Sequence, residues 1–498
     1  MTLQELLTDL SPLPPLPARE IHAVTDHSAH ADADSLFVCI KGARVDGHTL
    51  ARDAYDRGCR TFVAEYALSL PSDACVIEAP DTRRALATLA CRFYSDPSHK
   101  MRLIGITGTK GKTTTAHLLC ALLNRCGIPC GYIGTNGITS QNVNRPTRNT
   151  TPDPLTLQST LSDMQKSGVQ AVVIEVSSQA LMQERVAGTH FDTVAFTNLS
   201  LDHVGTSEHA SFTDYRDCKR KLFLNFDARH AVWNTDSPYT AEMRAGCRIP
   251  HQITCSREAD ADFRATAIRP FRTPTHAGIA FDLIAAGDTY PVTLPLVGEC
   301  NVENALLAAA IAHSVFDLPA ERVSHELGSI RVAGRSEWIP LPNGAAAVID
   351  YAHNGDSLRS ILSSLRAYAP HRLICLFGSV GERSQLRRAE LGRVAAELAD
   401  LCVLTSDNPG TEAPEAIIEE IAAAIAPTGT PCVKIPDRQT AIEQALTLTQ
   451  SGDILLLAGK GHEEYQLIGK EKRPFSERLI IAEILQKRKE GAQAWQSV

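Results

Sequence analysis

The stretch that decides the fold is MRLIGITGTKGKTTTAHLLCALLNRCG, residues 101–127. It opens with an apolar run typical of a buried strand, which leads straight into the glycine-rich segment ITGTKGKTTT (106–115). From Lys112 onward, apolar side chains recur at helical spacing until Gly127. A strand, a glycine-rich loop and a helix in this order predict a parallel sheet covered by helices.

The loop between this strand and helix is typical of a phosphate-binding loop. Its glycines let backbone N–H groups approach phosphate oxygens, and the start of the helix adds a favourable field. Lys112 is expected to bridge the outer phosphates of a nucleotide, and the Thr113 hydroxyl to hold Mg²⁺. Ile106 replaces the first glycine of the strict pattern, so a glycine-rich turn with a solvated lysine is the alternative. The predicted nucleotide-binding residues are Gly108, Thr109, Lys110, Gly111, Lys112, Thr113 and Thr114.

Polar residues follow two further apolar strands of the predicted central sheet. Glu175 ends the strand in IEVSSQ (174–179), and Asp202 and His203 follow the strand in TNLSLDHVG (197–205). Because both strand ends converge near the phosphate loop, we expect Glu175 and His203 to bind Mg²⁺. A purely structural histidine is the alternative.

The chain has 498 residues, which predicts more than one hydrophobic core. Residues 1–98 are predicted to form a small α/β domain, and residues 99–333 a central ATP-binding domain with β-hairpins appended over 260–297. Residues 334–498 are predicted to form a doubly wound α/β domain. In such sheets ligands bind beyond the carboxyl ends of the strands. Its four apolar strands lie in AAAVIDYAH, HRLICLFG, DLCVLTSDNPG and GDILLLAGKGHE.

Composition narrows the class of protein. Hydrophobic residues make up 44% and charged residues 21% of the chain, and the net charge is −8. These values predict a globular protein without the broad basic face of a nucleic-acid binder. The N-terminal residues lack the pattern of a signal peptide, and no apolar run reaches the ~18 residues of a membrane span. The 14 cysteines contain no C-x-x-C pair, which indicates reduced thiols in a cytoplasmic protein.

Nine motifs occur in the order found in the Mur ligases, and the resemblance covers essentially the whole chain. Within that family the chain is most similar to ligases that add a diamino acid to UDP-N-acetylmuramoyl-L-alanyl-D-glutamate. The resemblance implies a three-domain α/β enzyme that uses ATP and Mg²⁺ and forms a carbon–nitrogen bond through an acyl-phosphate. It also implies a part in peptidoglycan synthesis, and hence in cell shape and cell division. The motifs are TGTKGKTTT, EVSS, TNLSLDH, CKRKLF, GECNVENALLAA, VAGRSE, DYAHNGDSL, TSDNPG and GKGHE.

The resemblance also implies roles for particular residues in the central domain. Lys219, in YRDCKRKLF, matches a lysine that becomes carbamylated and helps to hold Mg²⁺, with a surface charge as the alternative. Lys112, Lys219 and His203 are then the catalytic residues. For the threonines among the substrate-binding positions, helix capping is the alternative. The positions that match binding of the UDP-muramoyl peptide are Ser28, Asn149, Thr150, Thr151, Ser177, Gln183 and Arg185.

Two further sets of residues follow from the resemblance. Asn301, Arg335, Asp350 and His353 match nucleotide-side positions, although packing or capping is the alternative for Asn301. The incoming amino acid is expected to be bound by the C-terminal domain, where Glu463 would pair with a distal ammonium group; a solvated carboxylate is its alternative. The matching positions are Arg383, Asp407, Asn408, Gly459 and Glu463.

Several departures from the family pattern leave the incoming amino acid open. Members that add diaminopimelate usually have Asp-Asn-Pro-Arg, but this chain has Gly410 in place of the arginine. Glycine cannot form a charge-assisted fork with a carboxylate. This departure weakens the case for meso-diaminopimelate and leaves L-lysine or L-ornithine as the other candidates. The other departures are Gln179, Asn354-Gly355 and the segment GSVGERSQLRR.

The whole chain allows two other functional interpretations. One is another amide ligase of the same superfamily, of the folylpolyglutamate or cyanophycin synthetase type. The other is a catalytically silent nucleotide-binding scaffold. The N-terminal domain argues against the first, and the intact set of Lys112, Glu175 and Lys219 against the second. The expected partners are the UDP-muramoyl dipeptide and an amino acid, without nucleic acid, and a monomer is expected.

Overall fold

A computed structural model describes residues 1–8, 16–42, 45–200, 209–382 and 385–496, excepting the side chains of 491–496. The chain divides into two compact units, Met1–Asp262 with Leu307–Leu318 and Phe263–Leu306 with Pro319–Val498. Three residues named above, Asp202, His203 and Arg383, lie outside the described residues, so their predicted roles stay predictions. Among the described residues, no helix is long and apolar enough to cross a membrane.

The first unit begins with a small parallel sheet in the strand order β1-β2-β3-β4. Helix α3 covers it, because alanine and leucine side chains recur on one face and are buried. Asp81 caps this helix by accepting bonds from two of its first N–H groups. The elements are α1 (Leu3–Leu6), β1 (Ala23–Thr25), β2 (Ser35–Val38), α2 (Ala51–Asp56), β3 (Thr61–Ala64), β4 (Cys75–Glu78) and α3 (Thr82–Phe93).

The larger sheet of the first unit has the order β12-β11-β10-β5-β9-β6-β7-β8. The six strands from β12 to β6 pair in parallel, whereas β7 and β8 add antiparallel. The central strand β5 is buried along almost its whole length, as its apolar sequence predicts. The strands are β5 (Arg102–Thr107), β6 (Cys130–Gly134), β7 (Gly137–Thr139), β8 (Asn144–Arg145), β9 (Ala171–Glu175), β10 (Thr193–Phe196), β11 (His230–Asn234) and β12 (His251–Ser256).

Helices connect the parallel strands of this sheet. Helix α4 begins at Lys112, directly after Gly111 in a left-handed conformation, and buries its leucines against the sheet. Helix α6 follows β9 after only two residues and is capped by the Ser177 hydroxyl. The helices are α4 (Lys112–Arg125), α5 (Pro154–Lys166), α6 (Ser178–Met182), α7 (Phe212–Leu224) and α8 (Thr240–Arg244).

The second unit contains three antiparallel strands, as the alternating pattern over residues 260–297 predicted. They are β13 (Phe263–Arg272), β14 (Ala277–Ala285) and β15 (Asp288–Leu294). Helix α9 (Cys300–Phe316), whose residues from Leu307 onward belong to the first unit, and helix α10 (Ala320–Leu327) follow them along the chain.

The rest of the second unit is a six-stranded sheet in the order β16-β17-β21-β18-β19-β20. Only the edge strand β16 is antiparallel to its neighbour. The strands are β16 (Glu337–Pro340), β17 (Ala346–Asp350), β18 (Leu373–Phe377), β19 (Leu401–Leu404), β20 (Cys432–Lys434) and β21 (Ile454–Ala458), with a hairpin of β22 (Tyr465–Ile468) and β23 (Glu471–Pro474). The helices are α11 (Gly355–Arg366), α12 (Gln385–Leu398), α13 (Pro414–Ile425), α14 (Arg438–Leu448) and α15 (Glu477–Gln496).

Helices cover both faces of this sheet. One apolar cluster joins it to α11, α12 and α13, and another joins its opposite face to α14 and α15. The predicted fold class is therefore confirmed: an α/β protein with a central P-loop parallel sheet and a doubly wound C-terminal sheet.

Candidate active site

The glycine-rich loop of the first unit is held tightly against the end of β10. The Thr109 N–H donates to Asn198 O at 2.8 Å, and the Lys110 N–H donates to Asn198 Oδ1 at 3.0 Å. Gly108 has a φ of +149°, and a Cβ there would overlap the Thr197 hydroxyl. Glycine is therefore required where the loop crosses the strand. Asn198 was not predicted, although it lies in the quoted motif TNLSLDH.

Lys112 is the first residue of α4, and its side chain folds back over the loop. Its Nζ donates to Gly108 O at 2.8 Å and to Thr109 O at 3.0 Å. This placement sets an ammonium group at the N-terminus of a helix, where anions are already favoured. Lys112, the lysine predicted to bind phosphate, therefore lies against the loop itself.

Two predicted magnesium ligands are in direct contact. The Thr113 hydroxyl donates to Glu175 Oε2 at 2.9 Å, and Glu175 is fully buried. Tyr132 OH and the Thr135 N–H donate to the other carboxylate oxygen, Oε1, at 2.5 and 3.0 Å. Hydroxyl and carboxylate oxygens are the ligands that Mg²⁺ prefers, so this pair fits that ion. Tyr132 and Thr135 were not predicted, although both hold the carboxylate of Glu175 in place.

Lys219 on α7 reaches the same loop. Its side chain is buried, its Nζ donates to Gly108 O at 2.9 Å, and it lies 4.6 Å from the centre of the Tyr215 ring. Two lysines, 112 and 219, therefore share one carbonyl oxygen. The buried charge of Lys219 and the partly buried charge of Lys112 repel each other there, which favours any change that makes one of them neutral or anionic.

Most residues predicted to bind the UDP-muramoyl peptide lie next to Glu175. Thr151 donates to Glu175 O at 2.7 Å, and its Oγ1 lies 3.3 Å from Ser177 Oγ. Arg185 donates to Thr151 O at 2.9 Å and to Gln183 Oε1 at 2.7 Å. Burial lowers the pKa of Arg185, although it stays a cation at neutral pH. These residues form a polar wall beside the phosphate loop.

The remaining residues predicted to bind the UDP-muramoyl peptide are Thr150, Ser28 and Asn149, and each lies in different surroundings. The Thr150 hydroxyl lies 3.1 Å from the Thr135 hydroxyl and so belongs to the same wall. Ser28 is buried in the N-terminal segment, where its hydroxyl is the main cause of the lowered pKa of Asp53. Asn149 is exposed. The structure therefore brings Thr150, Thr151, Ser177, Gln183 and Arg185 together, whereas no hydrogen bond joins Ser28 or Asn149 to them among the described residues.

A buried histidine that sequence reasoning missed links helix α6 to α7. His209 Nε2 lies 2.9 Å from Ser178 Oγ, and its Nδ1 lies 3.1 Å from Asp214 Oδ2. Ser178 directly follows the predicted substrate residue Ser177, and Asp214 is in the first turn of the helix that carries Lys219. The link therefore fixes the spacing between two helices that carry predicted site residues.

The second unit gathers its predicted amino-acid-binding residues around one lysine. The fully buried Lys460 donates to Asn408 Oδ1 at 2.8 Å and to Glu463 Oε2 at 3.1 Å. Its Nζ also lies 3.2 Å from Asp407 Oδ1, an ion pair without hydrogen-bond alignment. Asn408 Nδ2 donates to Glu463 Oε2 at 3.0 Å. Lys460 was not predicted, although it lies in the quoted motif GKGHE.

We expect Lys460→Met to lower the free energy of unfolding by about 3–5 kcal/mol, because it leaves the carboxylates of Asp407 and Glu463 without their buried partner. Chemical denaturation followed by circular dichroism measures this change. Lys487→Met, an exposed position on α15, is the matched control and should change stability by less than about 0.5 kcal/mol. Equal stability of the two variants would contradict the role given to Lys460.

Two glycines shape the same region. Gly459 has a φ of +112°, and its N–H donates to Asp350 O at 3.1 Å, which joins the ends of β21 and β17. Gly410 has a φ of +59°, and a Cβ there would lie 3.0 Å from Glu382 Oε1. Glu382 in turn accepts a bond from the Thr411 N–H at 3.1 Å. A carboxylate, that of Glu382, therefore borders the position at which the family has arginine.

The predicted nucleotide-side residues of the second unit are also described. Asp350 accepts bonds from the Ser336 N–H at 2.7 Å and the Ala352 N–H at 2.9 Å. Burial raises the pKa of Asp350, although the charge of Arg335 opposes the shift. The guanidinium of Arg335 lies over the Tyr351 ring, 4.8 Å from its centre, and its buried Nε has no hydrogen-bond partner among the described residues.

The other two predicted nucleotide-side residues, His353 and Asn301, differ in how many of their polar atoms already have hydrogen-bond partners. His353 Nδ1 lies 2.9 Å from Tyr351 O, and burial lowers the pKa of the imidazole. Asn301 Nδ2 donates to Val297 O at 2.8 Å, and its Oδ1 accepts a bond from Asn304 at 3.0 Å. The amide of Asn301 thus has a packing role in the helix start, and contact with a nucleotide stays a prediction.

A phosphate loop with lysine, threonine and a buried glutamate, together with a second α/β unit that carries a buried charged cluster, defines the class of nucleotide-dependent ligases. Three family models match the chain. "Mur ligase family, catalytic domain" matches residues 20–94, "Mur ligase middle domain" residues 106–312, and "Mur ligase, glutamate ligase domain" residues 334–461. The chain belongs to the Mur ligase family.

Similar proteins agree with this assignment over nearly the whole chain. UDP-N-acetylmuramoyl-L-alanyl-D-glutamate--2,6-diaminopimelate ligase of Geobacillus thermodenitrificans is 37% identical over 478 residues, covering 94% of this chain and 96% of that protein. The ligase of the same name from Chlorobaculum tepidum is 38% identical over 470 residues, covering 93% and 92%. A solved structure of a ligase of this name has a TM-score of 0.73 at 27% identity, covering 98% and 99%.

These matches confirm the predicted family and enzyme class. The chain is an ATP-dependent ligase that forms an amide bond in peptidoglycan synthesis. They favour this function over the folylpolyglutamate or cyanophycin type of ligase and over a silent scaffold.

Proposed function

We propose that the enzyme joins a diamino acid to the D-glutamyl carboxylate of UDP-N-acetylmuramoyl-L-alanyl-D-glutamate, with ATP as the second substrate. One observation carries the proposal. Lys112 and Lys219 meet at the carbonyl of Gly108, and Thr113 contacts Glu175 at 2.9 Å beside the same loop. These groups provide what phosphoryl transfer requires, namely a cation at the phosphate in Lys112 and oxygen ligands for a divalent metal in Thr113 and Glu175.

The first step is transfer of the terminal phosphoryl group of ATP to the carboxylate. The loop N–H groups and the ammonium of Lys112 hold the outer phosphates and offset the charge that builds up on them. Thr113 and Glu175 would hold Mg²⁺, which supplies further stabilisation of the transferred phosphoryl group when it is bound. Arg185, with its buried guanidinium beside Thr151, is proposed to bind an anionic part of the UDP-muramoyl peptide.

Lys219 is proposed to act as a carbamate. An unmodified ammonium cannot ligate a cation, whereas a carbamate presents two anionic oxygens. Carbamylation would also remove the repulsion between Lys219 and Lys112 at the Gly108 carbonyl. His203, outside the described residues, is proposed as a further metal ligand.

The second step is attack of the amino acid on the acyl-phosphate. Its amino group displaces phosphate, and the amide bond forms as the amine loses a proton. Asp407, Asn408, Gly459 and Glu463 are proposed to bind the amino acid, with Arg383, which lies outside the described residues. Glu463 is proposed to pair with the distal ammonium, because Asp407 and Glu463 together carry one more charge than Lys460 neutralises.

The names of the similar proteins favour 2,6-diaminopimelate as the amino acid, with L-lysine and L-ornithine as the other candidates. We further propose three functional domains, residues 1–98 for the UDP-substrate, 99–333 for ATP and 334–498 for the amino acid. Asn301, Arg335, Asp350 and His353 are proposed to serve the nucleotide. A monomer acting in the cytoplasm fits a reaction between UDP-linked and ATP substrates.

The experiment is a phosphate-release assay with a panel of amino acids. We expect release from ATP only when the UDP-muramoyl dipeptide and a diamino acid are both present, with product mass identifying the amino acid. Meso-diaminopimelate, L-lysine and L-ornithine form the panel, and glycine is the control acceptor. Phosphate release that ignores the acceptor, or no product with any of the three, would contradict the proposal.

A further inference from the structure

Arg387 is a cation in the second unit that has no role in the reaction as described above. It lies in the first turn of α12, and its Nη1 is buried without a hydrogen-bond partner among the described residues. A buried donor on a charged group is costly when it stays unpaired, and such groups in folded proteins usually await a ligand or have a partner. We therefore expect the guanidinium of Arg387 to bind an anion.

Three other cations of the second unit already form ion pairs with carboxylates. Arg388, the next residue, donates to Glu412 at 2.7 Å and to Glu420 at 3.0 Å. Lys460 is paired with carboxylates as described above, and so is the fully buried Arg438, which donates to Glu477 at 2.8 Å. The Nε of Arg388 is also buried without a partner among the described residues, but both of its Nη atoms are paired with carboxylates. Arg388 is therefore structural, whereas the Nη1 of Arg387 is available for binding.

The position of Arg387 relates it to the amino-acid-binding residues. The loop just before α12 packs against the end of β19, since the Gly381 N–H donates to Asn408 O at 2.9 Å. Burial lowers the pKa of His353, the charge of Arg387 lowers it further, and the charge of Asp407 opposes both. Arg387 and Asp407 therefore each lie within electrostatic reach of His353.

We propose that Arg387 binds a carboxylate of the incoming amino acid. The proposal rests on the proposed function, because it names the group that one substrate presents to this unit. Every candidate amino acid carries a carboxylate, and a guanidinium binds that group through two parallel hydrogen bonds. Gly410 has no side chain to offer, and Glu382 beside it would repel a carboxylate. Arg387, whose buried Nη1 has no hydrogen-bond partner among the described residues, offers a cation for this role in addition to Arg383, which lies outside them.

Steady-state kinetics of the full chain, with each substrate varied in turn, tests the proposal. We expect Arg387→Gln to raise the KM for the amino acid about 10- to 100-fold, the effect of losing a hydrogen-bonded charge, with KM for ATP and for the UDP-substrate changed less than about 2-fold. Arg387→Lys should restore part of the loss, because it keeps the charge without the fork. Arg393→Gln, an exposed arginine on the same helix, is the matched control.

A comparison of meso-diaminopimelate, which has two carboxylates, with L-lysine, which has one, shows which carboxylate Arg387 binds. A KM increase for meso-diaminopimelate alone assigns Arg387 to the distal carboxylate, whereas an equal increase for L-lysine assigns it to the α-carboxylate. An unchanged KM for the amino acid, or an increase confined to ATP, would overturn the proposal.

Calorimetric titration of meso-diaminopimelate into the wild type and Arg387→Gln, each saturated with the UDP-substrate, separates this proposal from the proposed function. If the wild type binds the amino acid but makes no product, the proposed function fails and the affinity difference still decides the role of Arg387. Equal affinities in the two proteins would refute the role of Arg387 even if ligation is normal.

Discussion

Lys112→Ala should reduce kcat for ligation by about 10²- to 10³-fold, the effect of removing one preorganised charge-stabilising donor at a reacting centre. The Lys112 ammonium lies at the start of α4 and reaches back over the loop to Gly108 O and Thr109 O. Its removal takes away the cation that is proposed to hold the outer phosphates of ATP. The measurement is product formation under saturating substrates, followed by mass spectrometry.

The control for this variant is Lys166→Ala, which removes an exposed lysine at the end of α5. Both variants should keep the wild-type circular dichroism spectrum, so that a loss of activity reports chemistry and not unfolding. Near-normal turnover in Lys112→Ala would show that the phosphate site has been assigned to the wrong residue.

Lys219→Ala should lower kcat at least about 100-fold, and short carboxylic acids such as formate or acetate should restore part of the activity. The side chain is buried beside Gly108 O, so its truncation leaves a space in which a small carboxylate can replace the carbamate oxygens. The measurement is the initial rate as a function of the concentration of added acid at constant ionic strength.

Lys221→Ala is the matched control, because Lys221 lies on the same helix but is partly exposed. It should keep wild-type activity and show no response to the acids. Full activity of Lys219→Ala without additives, or a complete lack of response to them, would refute the carbamate. In the wild type, mass spectrometry under carbon dioxide should detect the carbamate as an added mass on the peptide that contains Lys219.

Local patterns predicted the elements that carry the site. The strand β5, the loop at Gly108 and the helix starting at Lys112 follow from residues close together in sequence, because glycine permits the loop and periodicity defines the flanking elements. The same reasoning found strands β17, β18, β19 and β21, which are continuous apolar runs. It did not identify the edge strands β16 and β20, whose short and half-buried sequences carry little pattern.

Long-range partnerships were beyond the reach of the sequence. Lys460 meets Asn408 across 52 positions of the chain, and Lys219 meets Gly108 across 111. The role of each lysine depends on which strand ends become neighbours, and this is decided by sheet order and not by local propensity. Arg387 escaped notice for the same reason, since only the structure shows that its buried Nη1 has no partner among the described residues, whereas both Nη atoms of Arg388 are paired with carboxylates.

The central claim is that the loop before α4 holds the terminal phosphate of a nucleotide. Titration calorimetry of the full chain with magnesium and a non-hydrolysable ATP analogue tests it most directly. We expect one binding site for the analogue in the wild type. Its affinity should be at least about 10-fold weaker in Lys112→Ala, because a charge-assisted contact to phosphate is lost. Equal affinity in the two proteins, or no binding to the wild type, would contradict it.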